Sequence, residues 1–316
     1  ALPILNGSRG ADNEISPSKY ALTGYKYNSS EKRMIRIDRE AKTEGSLSNL
    51  DINFITDLKV GLINDDEYVD VIINRYDPLG SNELFVHFGK EPVEINSDSN
   101  LKESNQVLVY DQLNIGDGLF EGEIEIADLN NDGQLEIIQI GLTSDNTTSG
   151  KARFNIFNYS SDSETFEKTD VSSQIAELAD SSFDLGDFDN DQDLDFIITG
   201  FDESSGLESY LYRNITESGG SFQLEETNTN FASTRNGSID FIDYDTDGDL
   251  DILITGTGVN GDIFEIYINK LNENISEFPR LNSLNIPGLR ESRINYGDFN
   301  GDGYSDLLYT GVQSGS

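Results

Sequence analysis

An acidic stretch of nine residues recurs four times at a nearly constant interval, and this repetition constrains the fold more than any other feature of the chain. The four copies are DLNNDGQLE at 128–136, DFDNDQDLD at 187–195, DYDTDGDLD at 243–251 and DFNGDGYSD at 298–306. Their first residues are 59, 56 and 55 residues apart. A fixed period of this length indicates a chain built from repeated supersecondary units.

The segments around each acidic stretch read as β-strands. A short alternating run precedes it, such as IDFI at 239–242, and an apolar run ending in Gly follows it, such as FIITG at 196–200. A third run, such as SYLYRN at 209–214, lies further on. Period-two runs rich in Ile, Phe and Tyr predict strands, and no segment has a convincing amphipathic helix pattern. We expect about four antiparallel strands per unit, with the acidic stretch between the first and second strands.

The repeats predict a β-propeller. A single four-stranded sheet cannot bury both of its faces, whereas several sheets stacked radially bury them against each other. We therefore expect an all-β fold in which residues 1–316 form one β-propeller domain of six or seven four-stranded antiparallel blades. The predicted units are the degenerate copies 1–50 and 51–117, the clear repeats 118–177, 178–233 and 234–289, and the partial repeat 290–316.

Each acidic loop offers oxygen atoms at alternate positions. Counted from the first Asp, side-chain oxygens occupy positions 1, 3, 5 and 9, and Gly occupies position 6 in three of the four loops. Carboxylates this close repel one another, and Ca²⁺, which takes about six to eight oxygen ligands, would relieve the repulsion. A bend at position 6 would bring the backbone carbonyl of position 7 to the same centre.

We therefore predict about four structural Ca²⁺ ions, one in each loop. The predicted ligands are Asp128, Asn130, Asp132, Gln134 and Glu136; Asp187, Asp189, Asp191, Asp193 and Asp195; Asp243, Asp245, Asp247, Asp249 and Asp251; and Asp298, Asn300, Asp302, Tyr304 and Asp306.

Differences among the loops predict unequal binding. The loops at 128–136 and 298–306 carry fewer carboxylates and should bind more weakly. Gln192 stands where the other loops have Gly, so it must accept the bend at some cost in strain. A degenerate copy, LINDDEYVD at 62–70, lacks the first carboxylate and is expected to be a turn rather than a binding site.

Other readings of the loops fit less well. An EF-hand needs a Glu at position 12 and flanking helices, but position 12 is occupied by Gln139, Ile198, Ile254 and Tyr309 and the flanks are strands. Mg²⁺ demands a stricter octahedron, and transition metals favour His or Cys, of which the chain has His87 alone. Solvated acidic turns remain the simplest alternative, which four recurrences with the same flanks disfavour.

Charge and composition exclude several classes of function. The net charge of −38 would repel nucleic acids and disfavours an anionic membrane surface. The chain has no Cys, which excludes disulfides and thiol chemistry, and no apolar run approaches the length of a membrane helix. Because the sequence begins with Ala and has no signal peptide, we expect a mature or excised segment of an exported protein.

The loops, their spacing and the strand that ends in Thr-Gly resemble the FG-GAP/VCBS repeats of integrin α subunits and of secreted bacterial surface proteins. The resemblance covers roughly residues 50–311 and is strongest at the four loops and at Gly200, Gly256 and Gly311. It implies a calcium-stabilised propeller that is secreted or displayed on a cell surface, in the bacterial rather than the integrin variant, and that often serves adhesion. No integrin-type recognition residues can be matched here.

The sequence predicts a non-catalytic protein. His87 lies inside the strand-like run LFVHFG and is expected to be packed, and no nucleophile or phosphate-binding motif is found. We expect adhesion or recognition of a protein or carbohydrate ligand, with no nucleic acid partner and no membrane insertion. Two alternatives stay open: a lyase-type enzyme or accessory module acting on polysaccharide, and a docking subunit of a surface assembly. The basic cluster at 31–40 could bind an anionic sugar or an acidic neighbour, but a solvated strand face, or a basic blade that meets an acidic one at ring closure, is the favoured interpretation.

Overall fold

The structure, a computed structural model, is all-β. It describes residues 2–6, 21–28, 33–36, 55–64, 66–77, 80, 82–94, 106–144, 152–227, 230–270, 278–282, 284–302 and 305–313. For residues 2–6, 21–28, 33–36, 92–94 and 106–110 it describes the backbone alone. Across these ranges the chain forms strands and no helix, so none of them contains a helical segment able to cross a lipid bilayer.

The described residues form twenty strands. They are β1 (Leu2–Asn6), β2 (Ala21–Asn28), β3 (Arg33–Arg36), β4 (Ile55–Gly61), β5 (Asp70–Arg75), β6 (Glu83–Glu94), β7 (Gln106–Gly116), β8 (Phe120–Ala127), β9 (Glu136–Leu142), β10 (Ala152–Ser160), β11 (Thr165–Asp170), β12 (Ala179–Gly186), β13 (Asp195–Asp202), β14 (Gly206–Asn214), β15 (Leu224–Thr227), β16 (Arg235–Ile242), β17 (Asp251–Gly258), β18 (Gly261–Tyr267), β19 (Arg290–Gly297) and β20 (Asp306–Val312).

These strands form antiparallel sheets in which chain neighbours are sheet neighbours. The sheets are β1–β3, β4–β7, β8–β11, β12–β15, β16–β18 and β19–β20. The four acidic stretches connect β8 to β9, β12 to β13, β16 to β17 and β19 to β20, which are the first and second strands of their sheets. Meandering sheets of this kind are the blades of a β-propeller, so the predicted fold is confirmed. The number of blades stays a prediction.

The expectation of four strands per blade holds for three sheets, β4–β7, β8–β11 and β12–β15. The sheet β16–β18 has three strands, followed by an isolated antiparallel bridge between Tyr267 and Arg280 where a fourth strand would pair. Residues 271–277, which lie between them, are outside the described residues. The sheet β19–β20 has two strands.

The chain divides into two compact units. One comprises residues 1–124 and 159–166, and the other residues 125–158 and 167–316. All four acidic loops lie in the second unit, whereas the degenerate copy at 62–70 lies in the first. The repeat boundaries and the single-domain organisation stay predictions.

Alternation along the second strands builds the core of the second unit. In β13, Phe196 and Ile198 pack in a cluster with Ile138 of β9, whereas Ile197 between them packs with Ile252 of β17. Neighbouring side chains of a strand point to opposite faces, so this division means that the sheet β12–β15 is packed on both of its faces. Complete burial of an Ile or Phe side chain contributes about 1.5–3 kcal/mol, and this packing holds the strand ends that carry the loops.

The Gly at the end of the Thr-Gly runs is required because the neighbouring first strand and the residue before it approach this position closely. A Cβ added at Gly200 would lie 2.8 Å from Cβ of Leu178, and one at Gly256 would lie 2.9 Å from Cα of Gly237. Both contacts fall where the register between the first and second strands shifts, because the first strand bulges there. The recurrent Gly thus allows a bulged strand to pack closely against its neighbour.

The basic cluster at 31–40 lies mostly outside the described residues. The backbone of Arg33–Arg36 forms β3, and its side chains are not among those that the structure describes. Its role stays a prediction.

Candidate metal centres in the acidic loops

The carboxylate at position 9 closes each loop. Oδ2 of Asp195 accepts the backbone N–H of Phe188 at 3.0 Å, and its Oδ1 accepts the backbone N–H of Asn214 at 2.8 Å. Position 9 of the other loops also accepts the N–H of position 2: Glu136 from Leu129 at 2.8 Å, Asp251 from Tyr244 at 3.0 Å and Asp306 from Phe299 at 3.0 Å. Each carboxylate oxygen has a second lone pair, so this closure leaves room for a cation as well.

In the loops at 128–136, 187–195 and 243–251, the backbone bends in the left-handed region at positions 4 and 6. In the loop at 187–195 these are Asn190, with φ of 61°, and Gln192, with φ of 79°. The predicted strain at Gln192 is therefore confirmed, because a side chain in this region costs about 1–2 kcal/mol. At Gly248 φ is 91° and no neighbouring atom would meet an added Cβ within 4 Å, so this Gly serves the conformation rather than the space.

Carboxylates at positions 1 and 5 wrap the backbone around one centre. Oδ1 of Asp187 accepts the N–H of Asp191, and its Oδ2 accepts the N–H of Gln192, both at 3.0 Å. Oδ1 of Asp191 then accepts the N–H of Asp193 at 3.0 Å. The loop at 128–136 repeats this arrangement with Asp128 and Asp132 in place of Asp187 and Asp191.

Two groups of carboxylates converge closely enough to hold an ion. Oxygen atoms of Asp187, Asp189 and Asp195 lie within 4.8 Å of one another, and so do oxygen atoms of Asp243, Asp245 and Asp247. Oδ1 of Asp189 and Oδ1 of Asp243 are both closed off from solvent and have no hydrogen-bond partner. A buried carboxylate oxygen without a partner is costly, so these residues fit an oxygen-ligated cation.

Burial raises the pKa of the closing carboxylates. The pKa is raised to about 7 for Asp195, to about 7 for Glu136 and to about 6 for Asp251. Loss of hydration is the main cause in each case, the backbone N–H groups oppose it, and the neighbouring loop carboxylates add to it. The loops therefore hold their negative charges at a cost in free energy that a cation would offset.

The other two loops follow the same plan with fewer carboxylates. In the loop at 298–306, Asp298 accepts the N–H of Asp302 at 3.0 Å, and the amide of Asn300 donates to Asp302 at 3.1 Å. Tyr304, a predicted ligand, lies outside the described residues. At position 7 of the five-Asp loops, the side chains of Asp193 and Asp249 bond to neighbouring loops, which leaves the backbone carbonyl as the group available there.

The degenerate copy at 62–70 keeps the closing carboxylate at position 9 but has no carboxylate at position 1. Asp70 is fully buried and accepts the N–H of Ile63 at 2.8 Å and of Gly89 at 2.9 Å, as Asp195 does in its own loop. Position 1 is Leu62, which is exposed, and the amide of Asn64 donates to Asp66. The expectation that this copy is a turn rather than a binding site stays a prediction.

Sequence reasoning missed the Asn at the end of the third-strand runs, which is the last residue of β14 and lies two residues beyond β18. Nδ2 of Asn214, which is buried, donates to the carbonyl of Leu129 at 2.9 Å in the preceding loop and to that of Leu194 at 3.1 Å in its own. Asn269 makes the same pair of bonds, to Phe188 at 2.7 Å and Leu250 at 3.0 Å. The signal was present, because the third-strand runs RFNIFN, SYLYRN and FEIYIN all end in Asn.

A second residue missed in the sequence is Arg213. Its Nε lies 2.5 Å from Oδ2 of Asp189, so a guanidinium group borders the carboxylate cluster of this loop. The equivalent residue before Asn269 is Ile268.

His87 is packed, as predicted. It is 4% exposed in β6, and burial lowers its pKa to about 4, so the ring is neutral at pH 7. His87 lies opposite Val71 in its sheet, and Tyr212 lies opposite Phe196 at the equivalent position of the sheet β12–β15. His87 therefore occupies a core position of the blade.

Residues 187–254 match the family model described as the FG-GAP-like repeat. Residues 187–254 therefore carry an FG-GAP-like repeat. The matched range spans both five-Asp loops, and the closure at position 9 recurs beyond it in the loops at 128–136 and 298–306. No curated protein matches the chain.

Proposed function

We propose that this chain is a non-catalytic β-propeller whose acidic loops bind Ca²⁺ and whose faces recognise a protein or carbohydrate ligand outside the cell. The observation that carries the calcium part is the pair of buried, partnerless oxygens on Asp189 and Asp243 within converging carboxylates. Extracellular recognition is supported by the FG-GAP-like repeat, which is typical of secreted and surface proteins.

In each loop, the residues that would hold Ca²⁺ are the side chains at positions 1, 3, 5 and 9 and the backbone carbonyl at position 7. The ion would supply positive charge to carboxylates that otherwise repel one another. The chain's own residues prepare the site, because the closure at position 9 and the two left-handed bends hold the oxygens in place before any ion arrives.

The non-catalytic part of the proposal is supported by His87. It is the single His of the chain, it is buried in a blade and its pKa is too low for acid–base work near pH 7.

A thermal melt of the demetallated chain, titrated with Ca²⁺ and separately with Mg²⁺, tests the proposal. We expect an upward shift of several degrees for Ca²⁺ and a smaller one for Mg²⁺, because ligands that bind the native state raise its melting temperature. The variant Asp243→Asn should reduce the shift, whereas Glu203→Gln, the same charge change at an exposed residue outside the loops, should not. An unchanged melting temperature in Ca²⁺ would reject the calcium sites.

The recognition part needs its own measurement. The full chain, loaded with Ca²⁺, is applied to arrays of glycans and of extracellular matrix proteins, with chain that has been unfolded by heat as the control. Saturable binding to one class supports recognition, and cleavage of an anionic polysaccharide by the chain would replace the proposal with the lyase alternative.

A further inference from the structure

Hydrogen bonds join the loop at 128–136 to the loop at 187–195, and that loop in turn to the loop at 243–251. Nδ2 of Asn131, at position 4 of the loop at 128–136, donates to Oδ1 of Asp193 and, at 3.2 Å, to the carbonyl of Gln192 in the following loop. Nδ2 of Asn190, at the same position of the loop at 187–195, donates to Oδ1 of Asp249 at 2.8 Å. The contact from position 4 to position 7 is therefore repeated, one blade further along.

A buried bond ties the same pairs of loops at a second point. Asn214 joins the carbonyl at position 2 of the loop at 128–136 to the carbonyl at position 8 of the loop at 187–195. Asn269 does the same for the loops at 187–195 and 243–251. Neighbouring loops thus share one exposed and one buried connection.

We propose that neighbouring acidic loops bind their cations cooperatively, and that Asn131 and Asn190 are the positioning residues that carry this coupling. The proposal rests on the proposed function, because it concerns the same cation sites.

The coupling follows from where the joined residues lie in their loops. Asn190 stands between the predicted ligands Asp189 and Asp191 and is held at φ of 61°, so a cation that fixes these ligands also fixes the direction of its amide. Its partner Asp249 donates its backbone N–H to Oδ1 of the ligand Asp247 at 3.0 Å. Order in one loop therefore restricts the ligands of the next, which then has less conformational freedom to lose on binding.

Coupling between two binding sites is reciprocal, and a typical coupling free energy changes the affinity of one site by about 5- to 150-fold when the other is filled.

The loops at 187–195 and 243–251 form the pair best suited to measurement, because Tyr244 at position 2 of the second loop can sensitise the luminescence of Tb³⁺ bound there. The variant Tyr244→Phe identifies the part of the emission that reports this loop.

The experiment measures Tb³⁺ affinity of the loop at 243–251 in the full chain while the neighbouring loop is disabled by Asp187→Asn with Asp189→Asn. The same pair of substitutions is then made in the Asn190→Gly background. Gly keeps the left-handed bend and removes the side-chain bond. The lost charge acts through space in both backgrounds, so the difference between them isolates the hydrogen bond.

We expect the disabled neighbour to weaken Tb³⁺ binding at least about fivefold more in the wild-type background than with Asn190→Gly. Asn131→Gly cuts the connection on the other side of the loop at 187–195. In this background, disabling the loop at 187–195 should weaken Tb³⁺ binding at 243–251 as much as it does in the wild-type background. Asn190→Asp, which places a carboxylate against Asp249, should abolish the coupling as Gly does, and a melt of each variant checks that the chain is folded.

Equal weakening in the wild-type and Asn190→Gly backgrounds would overturn the coupling while leaving the cation sites intact. No Tb³⁺ emission from the loop at 243–251 in the wild-type chain, together with no Ca²⁺-induced shift of the melting temperature, would overturn the sites and the coupling together.

Discussion

The two five-Asp loops carry the same number of carboxylates and tolerate them differently. In the loop at 187–195, Arg213 lies against Asp189, and Gln192 bears a left-handed bend. In the loop at 243–251, Gly248 bears the bend and Ile268 replaces the arginine. The first loop therefore has an ion-paired arginine and a left-handed side chain at position 6, whereas the second has Gly there but holds Thr246 at φ of 61° and has the charge of Lys270 acting on Asp245. The count of charges alone does not rank the loops.

Removal of the closing carboxylate should be the most damaging change and should affect both loops. Asp251→Ala leaves the backbone N–H groups of Tyr244 and Asn269 without their acceptor, which costs about 1–3 kcal/mol for each buried group. Asp195→Ala should cost a similar amount. Urea unfolding of both variants in Ca²⁺ measures the loss, and Asp251→Asn, which keeps an acceptor oxygen, should recover part of it. Midpoints equal to that of the wild type would contradict the role of closure.

The demetallated chain should lose stability as the pH rises from acid to neutral. A carboxyl whose pKa is raised on folding contributes stability below its unfolded pKa, and this contribution is lost as the pH rises through the folded pKa. Burial raises the pKa of Asp195 to about 7 and that of Asp251 to about 6, so both carboxyls contribute to the loss. Melts between pH 4 and 8, in chelator, should show that Asp195→Asn and Asp251→Asn each flatten the curve. A pH dependence that neither substitution changes would contradict this role of the closing carboxylates.

Exchange of the basic residue should exchange the dependence on Ca²⁺. Arg213→Gln should destabilise the demetallated chain by about 0.5–1 kcal/mol, since the ion pair is partly exposed, and should change the Ca²⁺-loaded chain less. The shift on adding Ca²⁺ should therefore grow. Ile268→Arg should do the reverse in the other loop if its guanidinium reaches Asp245, and Lys168→Gln, a change of charge away from the loops, serves as the control. A smaller Ca²⁺ shift in Arg213→Gln would show that the arginine assists the ion.

The smallest effect is expected from the bend at position 6. Gln192→Gly relieves a left-handed side chain but gives the unfolded chain more freedom, so the net gain should be about 0.5–1 kcal/mol. Gly248→Gln should cost a similar amount. Urea unfolding midpoints of the two single variants and of the double variant show whether the two changes in stability cancel. A loss of stability in Gln192→Gly would mean that the glutamine side chain makes a contact that compensates for the strain.

The sequence predicts local features well and distant contacts poorly. The strands around the loops and the bend at Gln192 follow from period, spacing and turn chemistry, all of which act between residues near in the chain. Asn214 contacts a carbonyl 85 residues away, and the bond from Asn190 to Asp249 joins residues 59 apart. Such partners depend on how blades meet, which one repeat by itself does not encode.

The same limit applies to the candidate ions. The candidate ligand positions follow from the loop pattern, whereas Arg213 belongs to a strand beyond the loop and is a neighbour of Asp189 only in the assembled sheet. The ligand set itself stays a prediction.

Asp70 is retained in a loop whose position 1 is Leu62, and this separates two roles that the other loops combine. The carboxylate at position 9 supports the hairpin, whereas positions 1, 3 and 5 carry the other candidate ligands. Under the proposed function, substitutions at positions 1, 3 and 5 would add or remove an ion without any change to the framework of the blade. For protein engineering, each repeat would then be an adjustable unit, in which sensitivity to calcium is tuned loop by loop on a constant scaffold.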